Sequence, residues 1–212
     1  MIIETRAVPP FQKNGYVVAC EATREAVLID PGDEVDMLLD VIKSQSLNVQ
    51  SILLTHAHVD HVTGVGRAKQ ALKVPVYLHP DDQFLYDAAP QQAAFFGLQC
   101  DALPAIDRNY DLSKMLAFGE YEVEVHHTPG HCPGGVCLAI GRKGSKKEEL
   151  FVGDTLFAGS IGRTDLPGAD HPTLIRSITQ VLFAFGDAAR VHSGHGPQTT
   201  IGHERRTNPF LI

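Results

Sequence analysis

The sequence predicts a mixed α/β fold of four layers, with two sheets inside and helices outside. Three observations support this prediction. Strand patterns cluster in both halves of the chain, helical patterns accompany each cluster, and no linker long enough for a domain boundary interrupts the 212 residues. We therefore expect residues 1–212 to form a single domain.

Composition indicates an ordinary globular protein, since 43% of the residues are hydrophobic and 20% are charged. The formal net charge of −7 argues against nucleic-acid and anionic-membrane binding, because both require a basic face. The segment Met1–Arg6 lacks the pattern of a signal peptide, and no apolar run approaches the roughly 20 residues of a membrane span. The four cysteines form no CxxC pair. We expect a cytoplasmic protein with free thiols and a small-molecule partner.

The first half alternates strands with helices. Val35, Leu38 and Ile42 recur at helical spacing and predict a helix over Asp33–Lys43, and Gly64–Leu72 predicts a second. The predicted strands are Ile2–Val8, Gly15–Cys20, Glu25–Ile29, Val49–Leu54 and Val74–Leu78. A helix-rich insertion over Pro80–Leu103 follows, which either covers a site or pads the surface.

The second half repeats this organisation. Its predicted helices are Thr173–Phe185 and Ile201–Arg206. The predicted strands are Tyr121–His127, Val136–Ile140, Leu150–Val152 and Val191–Ser193. The charged segment Arg142–Glu149 is mixed in sign and contains glycine, which predicts a solvated hairpin turn.

The segment Thr55–His61 contains three histidines and an aspartate directly after a predicted buried strand. Imidazole and carboxylate are the groups that bind zinc or iron in proteins. A strand running into such a turn provides a rigid base with ligands at its tip. His56, His58, Asp60 and His61 are therefore candidate metal ligands.

Three further candidates share one feature, a histidine or aspartate on a glycine-rich turn directly after a predicted strand. They are His131 in Gly130-His131, Asp154 in Gly153-Asp154 and His195 in Gly194-His195. Glycine lets a backbone turn sharply and leaves space near a ligand. Each motif alone is weak, since an aspartate after a strand is commonly a turn residue. Their joint occurrence with the histidine-rich turn predicts one metal site at the edge of the sheets.

These motifs, in this order, resemble the metallo-β-lactamase superfamily and within it the short glyoxalase II-like hydrolases. The resemblance implies an αββα sandwich. It also implies that His56, His58 and His131 hold one divalent metal ion, that Asp60, His61 and His195 hold a second, and that Asp154 bridges them. Segment 156–165 resembles both the short hydrolases and the persulfide dioxygenases, whereas segment 201–210 is similar to the short hydrolases. Only 17 residues follow His195, so the C-terminal helical domain that grips glutathione in full-length glyoxalase II is absent from this pattern.

The chemistry of such a centre favours thioester hydrolysis. Two metal ions lower the pKa of a water held between them, and the resulting hydroxide attacks a carbonyl carbon. A thiolate leaves without general-acid help, whereas an amide nitrogen needs a proton donor, and none is evident. Asp60 is the candidate catalytic residue, as a ligand of the second metal and as the group that orients the hydroxide. The ligands suit zinc, with iron or manganese as alternatives.

Two residues outside the ligand set are candidates for substrate binding. Arg163 either forms an ion pair with Asp165 or Asp170 or clamps an anionic substrate, since arginine contacts carboxylates at two points. His79 follows a predicted strand and either reaches the rim of the site or lies at the surface. Cys132 and Ser193 are the only other candidate nucleophiles, and neither lies in a nucleophile motif.

Several functions fit the same residues. The leading hypothesis is hydrolysis of S-lactoylglutathione or a related hydroxyacyl thioester. The first alternative is a persulfide dioxygenase, a family in which one iron is held by two histidines and one aspartate, here matching His56, His131 and Asp154. Hydrolysis of lactones, β-lactams or phosphodiesters is a further option by resemblance, and a non-catalytic metal-binding scaffold is the last.

Overall fold

The computed structural model describes residues 1–212, which form two compact units. The first unit comprises residues 1–110 with 118–120, and the second comprises residues 111–117 with 121–212. Each is described by itself below. No helix in the chain combines the length and apolar character required to cross a membrane.

The first unit contains a six-stranded sheet in the order β1-β2-β3-β4-β5-β6. Its strands are β1 (Ile2–Arg6), β2 (Gly15–Ala19), β3 (Glu25–Ile29), β4 (Asn48–Leu53), β5 (Val76–Leu78) and β6 (Arg108–Asn109). Strands β1 to β3 are antiparallel, and β3 to β6 pair in parallel. Strand β2 is buried along its whole length, as expected for a strand covered on both faces.

Helices connect the parallel strands of the first unit. They are α1 (Val35–Ser44), α2 (Val59–Val62), α3 (Val65–Leu72), a 3-10 turn (Pro80–Asp82) and α4 (Gln83–Phe96). Because the carboxyl ends of parallel strands meet at one sheet edge, β3, β4 and β5 deliver their following residues to the same edge. The histidine-rich turn after β4 lies at that edge.

The second unit contains a six-stranded sheet in the order β14-β13-β10-β9-β8-β7. Its strands are β7 (Leu116–Phe118), β8 (Tyr121–His127), β9 (Val136–Arg142), β10 (Glu149–Gly153), β13 (Arg190–Ser193) and β14 (Thr199–Thr200). Strands β10 and β13 are parallel, so residues that follow them share one edge. A separate hairpin consists of β11 (Leu156–Phe157) and β12 (Ser160–Ile161).

The region predicted as one helix, Thr173–Phe185, consists of three helical segments in the structure. An α-helix, α5 (His171–Arg176), continues as a π-type segment (Ser177–Val181) and a 3-10 segment (Leu182–Phe185). Leu174, Ile178 and Leu182 are fully buried at a spacing of four residues. That spacing exceeds the 3.6 residues of an α-helical turn. The π-type segment has more residues per turn, which keeps all three side chains on the core side. The last helix is α6 (Ile201–Thr207).

The two mixed sheets with flanking helices confirm the predicted fold class, and most predicted elements agree to within two residues. The insertion over Pro80–Leu103 is helical only as far as Phe96. Cys100 is only partly buried, whereas the other three cysteines are buried. The unpredicted strands are β6, β7, β11, β12 and β14, each two or three residues long, which is too short to show a period.

Candidate metal centre

The second half of the histidine-rich turn is helical. Strand β4 ends at Leu53, the chain bends at Thr55, His58 is extended, and α2 begins at Val59. His58 therefore lies just before the helix, while Asp60 and His61 lie within it. This change of direction turns all four side chains toward one region, which an extended strand with alternating faces does not permit.

The four side chains have the spacing of ligands. The His56 ring centroid lies 4.9 Å from that of His58 and 4.0 Å from that of His61. Nε2 of His61 lies 3.8 Å from Oδ2 of Asp60. Two ligand atoms that are each about 2.1 Å from one tetrahedral ion lie roughly 3.4 Å apart, and the distance between His61 Nε2 and Asp60 Oδ2 is close to that spacing.

Asp30, which follows β3, fixes which ring nitrogens face the site. Its Oδ1 accepts from the Thr55 backbone N–H at 2.7 Å, and its Oδ2 lies 2.5 Å from Thr55 Oγ1 and 3.0 Å from His61 Nδ1. A carboxylate only accepts, so Nδ1 of His61 carries the hydrogen and Nε2 is its candidate ligand nitrogen. The Thr55 hydroxyl donates to Asp30 and therefore accepts from Nδ1 of His56, 3.2 Å away. His56 thus presents Nε2 as well.

Geometry alone would count Asp30 as a ligand, because Asp30, His56 and His61 each place one ligand atom within 4.8 Å of the others. Both of its oxygens already accept hydrogen bonds from Thr55 and His61. We therefore assign Asp30 to support of the ligands. Carboxylates in this position orient metal-bound imidazoles in many metal sites.

A buried ion pair holds the turn that carries Asp30. The backbone of Asp30 is left-handed, with φ of +48°, and Nζ of Lys13 donates to its carbonyl oxygen. The same ammonium group donates to Oε1 of Glu34 at 2.5 Å, and this oxygen also accepts from the Gly32 N–H at 2.9 Å. The side chains of Lys13 and Glu34 are 2% and 1% exposed.

Gly32 brings this turn against the ligands. A Cβ at Gly32 would lie 2.1 Å from the carbonyl oxygen of Asp60, so only glycine permits the approach. On the other side, Oδ2 of the fully buried Asp82 accepts from the Ala57 N–H at 3.1 Å. The ligand turn is therefore held by two buried carboxylates, Asp30 and Asp82.

A buried tyrosine stabilises the end of β4. The Tyr110 hydroxyl donates to the carbonyl oxygen of Leu54 at 3.1 Å. Burial raises the pKa of Tyr110 well above its ordinary value, and the charge of Asp30 adds to the rise. The hydroxyl therefore remains a neutral donor at all ordinary pH values.

In the second unit, Asp154 lies between two imidazoles. It follows β10, and its Oδ2 is 3.6 Å from Nε2 of His131 and 3.5 Å from Nε2 of His195. Nδ1 of His131 donates to the carbonyl oxygen of Arg163 at 2.8 Å, which leaves Nε2 as its ligand nitrogen. These distances again match ligands that share a metal ion.

Backbone contacts align the three ligands of the second unit. The Gly194 N–H donates to the carbonyl oxygen of Gly153 at 2.8 Å, which ties the turn of His195 to that of Asp154. Gly162 lies directly against both ligand residues. A Cβ there would be 1.9 Å from the carbonyl oxygen of Asp154 and 3.1 Å from Nδ1 of His131.

The structure gives the two candidate substrate residues local partners. Arg163 is exposed and forms a two-point ion pair with Asp165, with both N–O distances 2.7 Å. Hydrogen bonds from Arg163 lower the pKa of Asp165 to about 2. His79 is buried at the end of β5, and its Nδ1 accepts from the Asp81 N–H at 3.3 Å. Substrate binding by Arg163 and His79 stays a prediction.

Sequence reasoning missed the supporting carboxylates Asp30 and Asp82. A signal was available, since Asp30 follows a strand and precedes Pro-Gly, the placement that singled out Asp154. Asp82 lies in a 3-10 turn and carries no comparable signal.

Comparison with known proteins identifies the family of this chain. Residues 8–195 match the family model of the metallo-beta-lactamase superfamily. The chain is 40% identical over 215 residues to hydroxyacylglutathione hydrolase GloC of Haemophilus influenzae, covering all of this chain and 98% of that protein. The chain belongs to the metallo-beta-lactamase superfamily.

Two solved structures are similar over nearly their whole length. One is TTHA1623 in a di-iron-bound form, with 43% identity, a TM-score of 0.86, and coverage of 98% of this chain and 100% of that chain. The other is the BLEG-1 B3 metallo-beta-lactamase, with 38% identity, a TM-score of 0.88 and complete coverage of both chains. The protein is accordingly a metallohydrolase of this superfamily, and its fold class is the one that the sequence predicted.

Proposed function

We propose that this protein hydrolyses thioesters, specifically S-lactoylglutathione or a related hydroxyacyl thioester. The observation that carries the proposal is the support around the ligand-type side chains, which turns the Nε2 atoms of His56, His61 and His131 into ligand nitrogens. The full-length similarity to a hydroxyacylglutathione hydrolase supports this substrate class.

The proposed centre holds two divalent metal ions. His56, His58 and His131 would hold one, Asp60, His61 and His195 the other, and Asp154 would bridge them. The position of Asp154 supports this assignment, because its Oδ2 faces His131 of the first set and His195 of the second. Zinc suits these ligands, and the similarity to a di-iron-bound structure makes iron the first alternative.

When bound, the two ions supply Lewis acidity and lower the pKa of water. The protein supplies orientation and proton transfer. Asp60 lies on the first turn of α2 with a side chain 14% exposed. In this role it would accept a hydrogen bond from the attacking water and orient the water's lone pair toward the thioester carbonyl. A thiolate leaves without being protonated, whereas a leaving amine needs a general acid. No such acid is evident, which is consistent with a thioester substrate.

Asp60 is testable as the catalytic residue. Asp60→Ala is expected to lose activity by at least about 100-fold even when metal is resupplied, because both orientation and a ligand are removed. Asp40→Ala, an exposed aspartate on α1, is the matched control and should retain full activity. Near-full activity of the Asp60→Ala protein at saturating metal would refute the assignment.

The function is tested by anaerobic hydrolysis of S-lactoylglutathione by metal-reconstituted protein, with His58→Ala as the variant. Turnover that is lost in the variant is the expected result. Oxygen consumption with glutathione persulfide, in place of anaerobic turnover, would overturn the proposal in favour of an iron dioxygenase. A β-lactam is included as a competing substrate because of the similarity to BLEG-1. Absence of thioester turnover with two metal equivalents bound would also overturn it.

A further inference from the structure

The C-terminal helix α6 and the residues after it have no part in the proposed chemistry, yet they contain two fully buried polar side chains. Glu204 and Asn208 are both 0% exposed. They lie on one face of the last helical turns, four residues apart. Burial of a carboxylate and an amide is unfavourable unless their hydrogen bonds are made, so their partners are informative.

Those partners lie in the hairpin of β11 and β12. Oε2 of Glu204 accepts from the Gly159 N–H at 2.9 Å and from Nδ2 of Asn208 at 2.8 Å. Nδ2 of Asn208 also donates to the carbonyl oxygen of Ser160 at 3.0 Å. Oε1 of Glu204 accepts from the Thr199 hydroxyl at 2.5 Å. Glu204 and Asn208 together therefore hold Gly159 in the hairpin turn and Ser160 at the start of β12.

Together with Gly162 and Arg163, the two residues that follow it, the same hairpin contacts all three candidate ligand residues of the second unit. It begins two residues after Asp154, and Gly162, just after its second strand, lies against the carbonyl oxygen of Asp154. The carbonyl oxygen of Arg163 accepts the hydrogen on Nδ1 of His131. The ring of Phe157 meets that of His195 edge to face, with centroids 6.1 Å apart. A displacement of this hairpin would therefore shift His131, Asp154 and His195 together.

We propose that Glu204 and Asn208 are positioning residues for the metal centre, acting through the hairpin of β11 and β12. The inference rests on the proposed metal centre, and it assigns a role to the segment 201–210 that the sequence singled out. Neither residue touches a ligand directly. Their hydrogen bonds fix the hairpin turn, and the hairpin fixes the carbonyl oxygen and the aromatic ring that orient two imidazoles.

Two substitutions at Glu204 separate this role from simple packing. Glu204→Met keeps the length of the side chain but removes every acceptor, so the Gly159 N–H and the Asn208 amide lose their partner. Glu204→Gln keeps an acceptor oxygen for those two donors, and the Thr199 hydroxyl can rotate to accept from the new amide. The Gln variant is therefore the conservative control. His203→Gln, an exposed neighbour on α6, is the matched surface control.

The experiment is a cobalt titration of the metal-free full-length proteins, with binding measured by chelator competition and geometry by the visible absorption of bound Co²⁺. Glu204→Met is expected to weaken Co²⁺ binding by about 10- to 100-fold and to change the absorption bands, as loss of outer support does in metal sites. Glu204→Gln and His203→Gln should remain within about threefold of the wild-type affinity.

Wild-type affinity and wild-type absorption bands in the Glu204→Met protein would overturn the inference and leave α6 as a packing element. If Glu204→Met does not fold, Asn208→Ala decides, because it removes the Ser160 contact and leaves the bonds of Glu204 to Thr199 and Gly159 in place. Unchanged cobalt binding in that variant would also overturn it. A wild-type protein that binds cobalt but hydrolyses no thioester refutes the proposed function alone.

Discussion

The two ligand-bearing regions of this chain are built in different ways. In the first unit, four candidate ligands lie within six residues. Asp30 bonds to the turn that carries them, and the buried ion pair of Lys13 and Glu34 holds the turn of Asp30. In the second unit, three ligands lie on three separate turns. They are aligned by backbone groups and by glycine contacts, with Glu204 and Asn208 holding the hairpin between them.

This difference follows from the spacing of the ligands. A short segment that presents four side chains on one side adopts an irregular path, and the left-handed Asp30 beside it needs fixed partners. Ligands at the ends of parallel strands are already placed by the sheet, so short backbone contacts complete their alignment. Charge therefore stabilises the first region, whereas chain geometry stabilises the second.

The largest expected effect concerns the buried ion pair of the first region. Lys13→Met leaves the Glu34 carboxylate buried without its cation, which should lower the free energy of unfolding by about 3–5 kcal/mol. Urea denaturation measures the loss, with the exposed Lys43→Met as control. Lys13→Met combined with Glu34→Gln should recover part of it, because the unpaired charge is gone. If the single and the double variant lose the same free energy of unfolding, an unpaired buried charge is not the cause, and the contrast between the two regions fails.

The next effect concerns the support of His61. Asp30→Asn replaces one acceptor oxygen with an amide nitrogen that only donates. Thr55 and His61 direct three donors at this side chain, so at least one donor loses its acceptor. We expect metal affinity to fall by about 10- to 100-fold and stability by about 1–3 kcal/mol. Chelator competition and thermal unfolding measure the two quantities. Asp33→Asn, in the same turn but bonded to Thr63, is the control and should bind metal normally.

A smaller effect on stability is expected at Glu149 in the second unit, and it tests whether charge supports the ligands there. Glu149, at the start of β10, bonds to Arg190 and His192. Burial alone would raise the pKa of Glu149, but these hydrogen bonds outweigh it and lower the pKa to about 2. A depressed carboxyl pKa stabilises the fold above the unfolded-state value of about 4.5 and loses that contribution as the pH falls toward 2.

Between pH 6 and pH 3, the unfolding free energy of the wild type should therefore fall by about 2 kcal/mol more than that of Glu149→Gln. Chemical denaturation of the metal-free proteins at each pH measures the difference. Metal affinity at neutral pH should be unchanged in this variant, because Glu149 lies at the opposite end of β10 from Asp154. A loss of metal binding would show that charge also supports the second set of ligands.

The smallest effect on stability is expected at Arg163. Its ion pair with Asp165 is exposed and screened by solvent, so Arg163→Gln should leave the unfolding free energy close to that of the wild type. If Arg163 clamps an anionic substrate, KM should rise about tenfold with little change in kcat, since one charge-assisted hydrogen bond is lost. The exposed Arg176→Gln is the control. An unchanged KM in steady-state kinetics would reject the clamp.

The fold and the ligand candidates were predictable because they have local signatures. Apolar periodicity located β3, β8 and α1, and the ligand candidates each stand directly after a strand or within one histidine-rich turn. The supports were not predictable, because Lys13, Asp82 and Glu204 lie far along the chain from the groups they hold. Their roles depend on tertiary contacts that no spacing rule encodes. The winding of segment 171–185 also depends on packing that periodicity alone does not resolve.

The close approaches of Gly32 and Gly162 have a consequence for engineering. A side chain at either position would collide with the backbone of Asp60 or Asp154, so neither position tolerates diversification. A library aimed at new substrates should keep both glycines and vary exposed residues such as Arg163, whose neighbours can move. Gly162, which tolerates no side chain, and Arg163, which is exposed and open to substitution, are thus neighbours in the sequence.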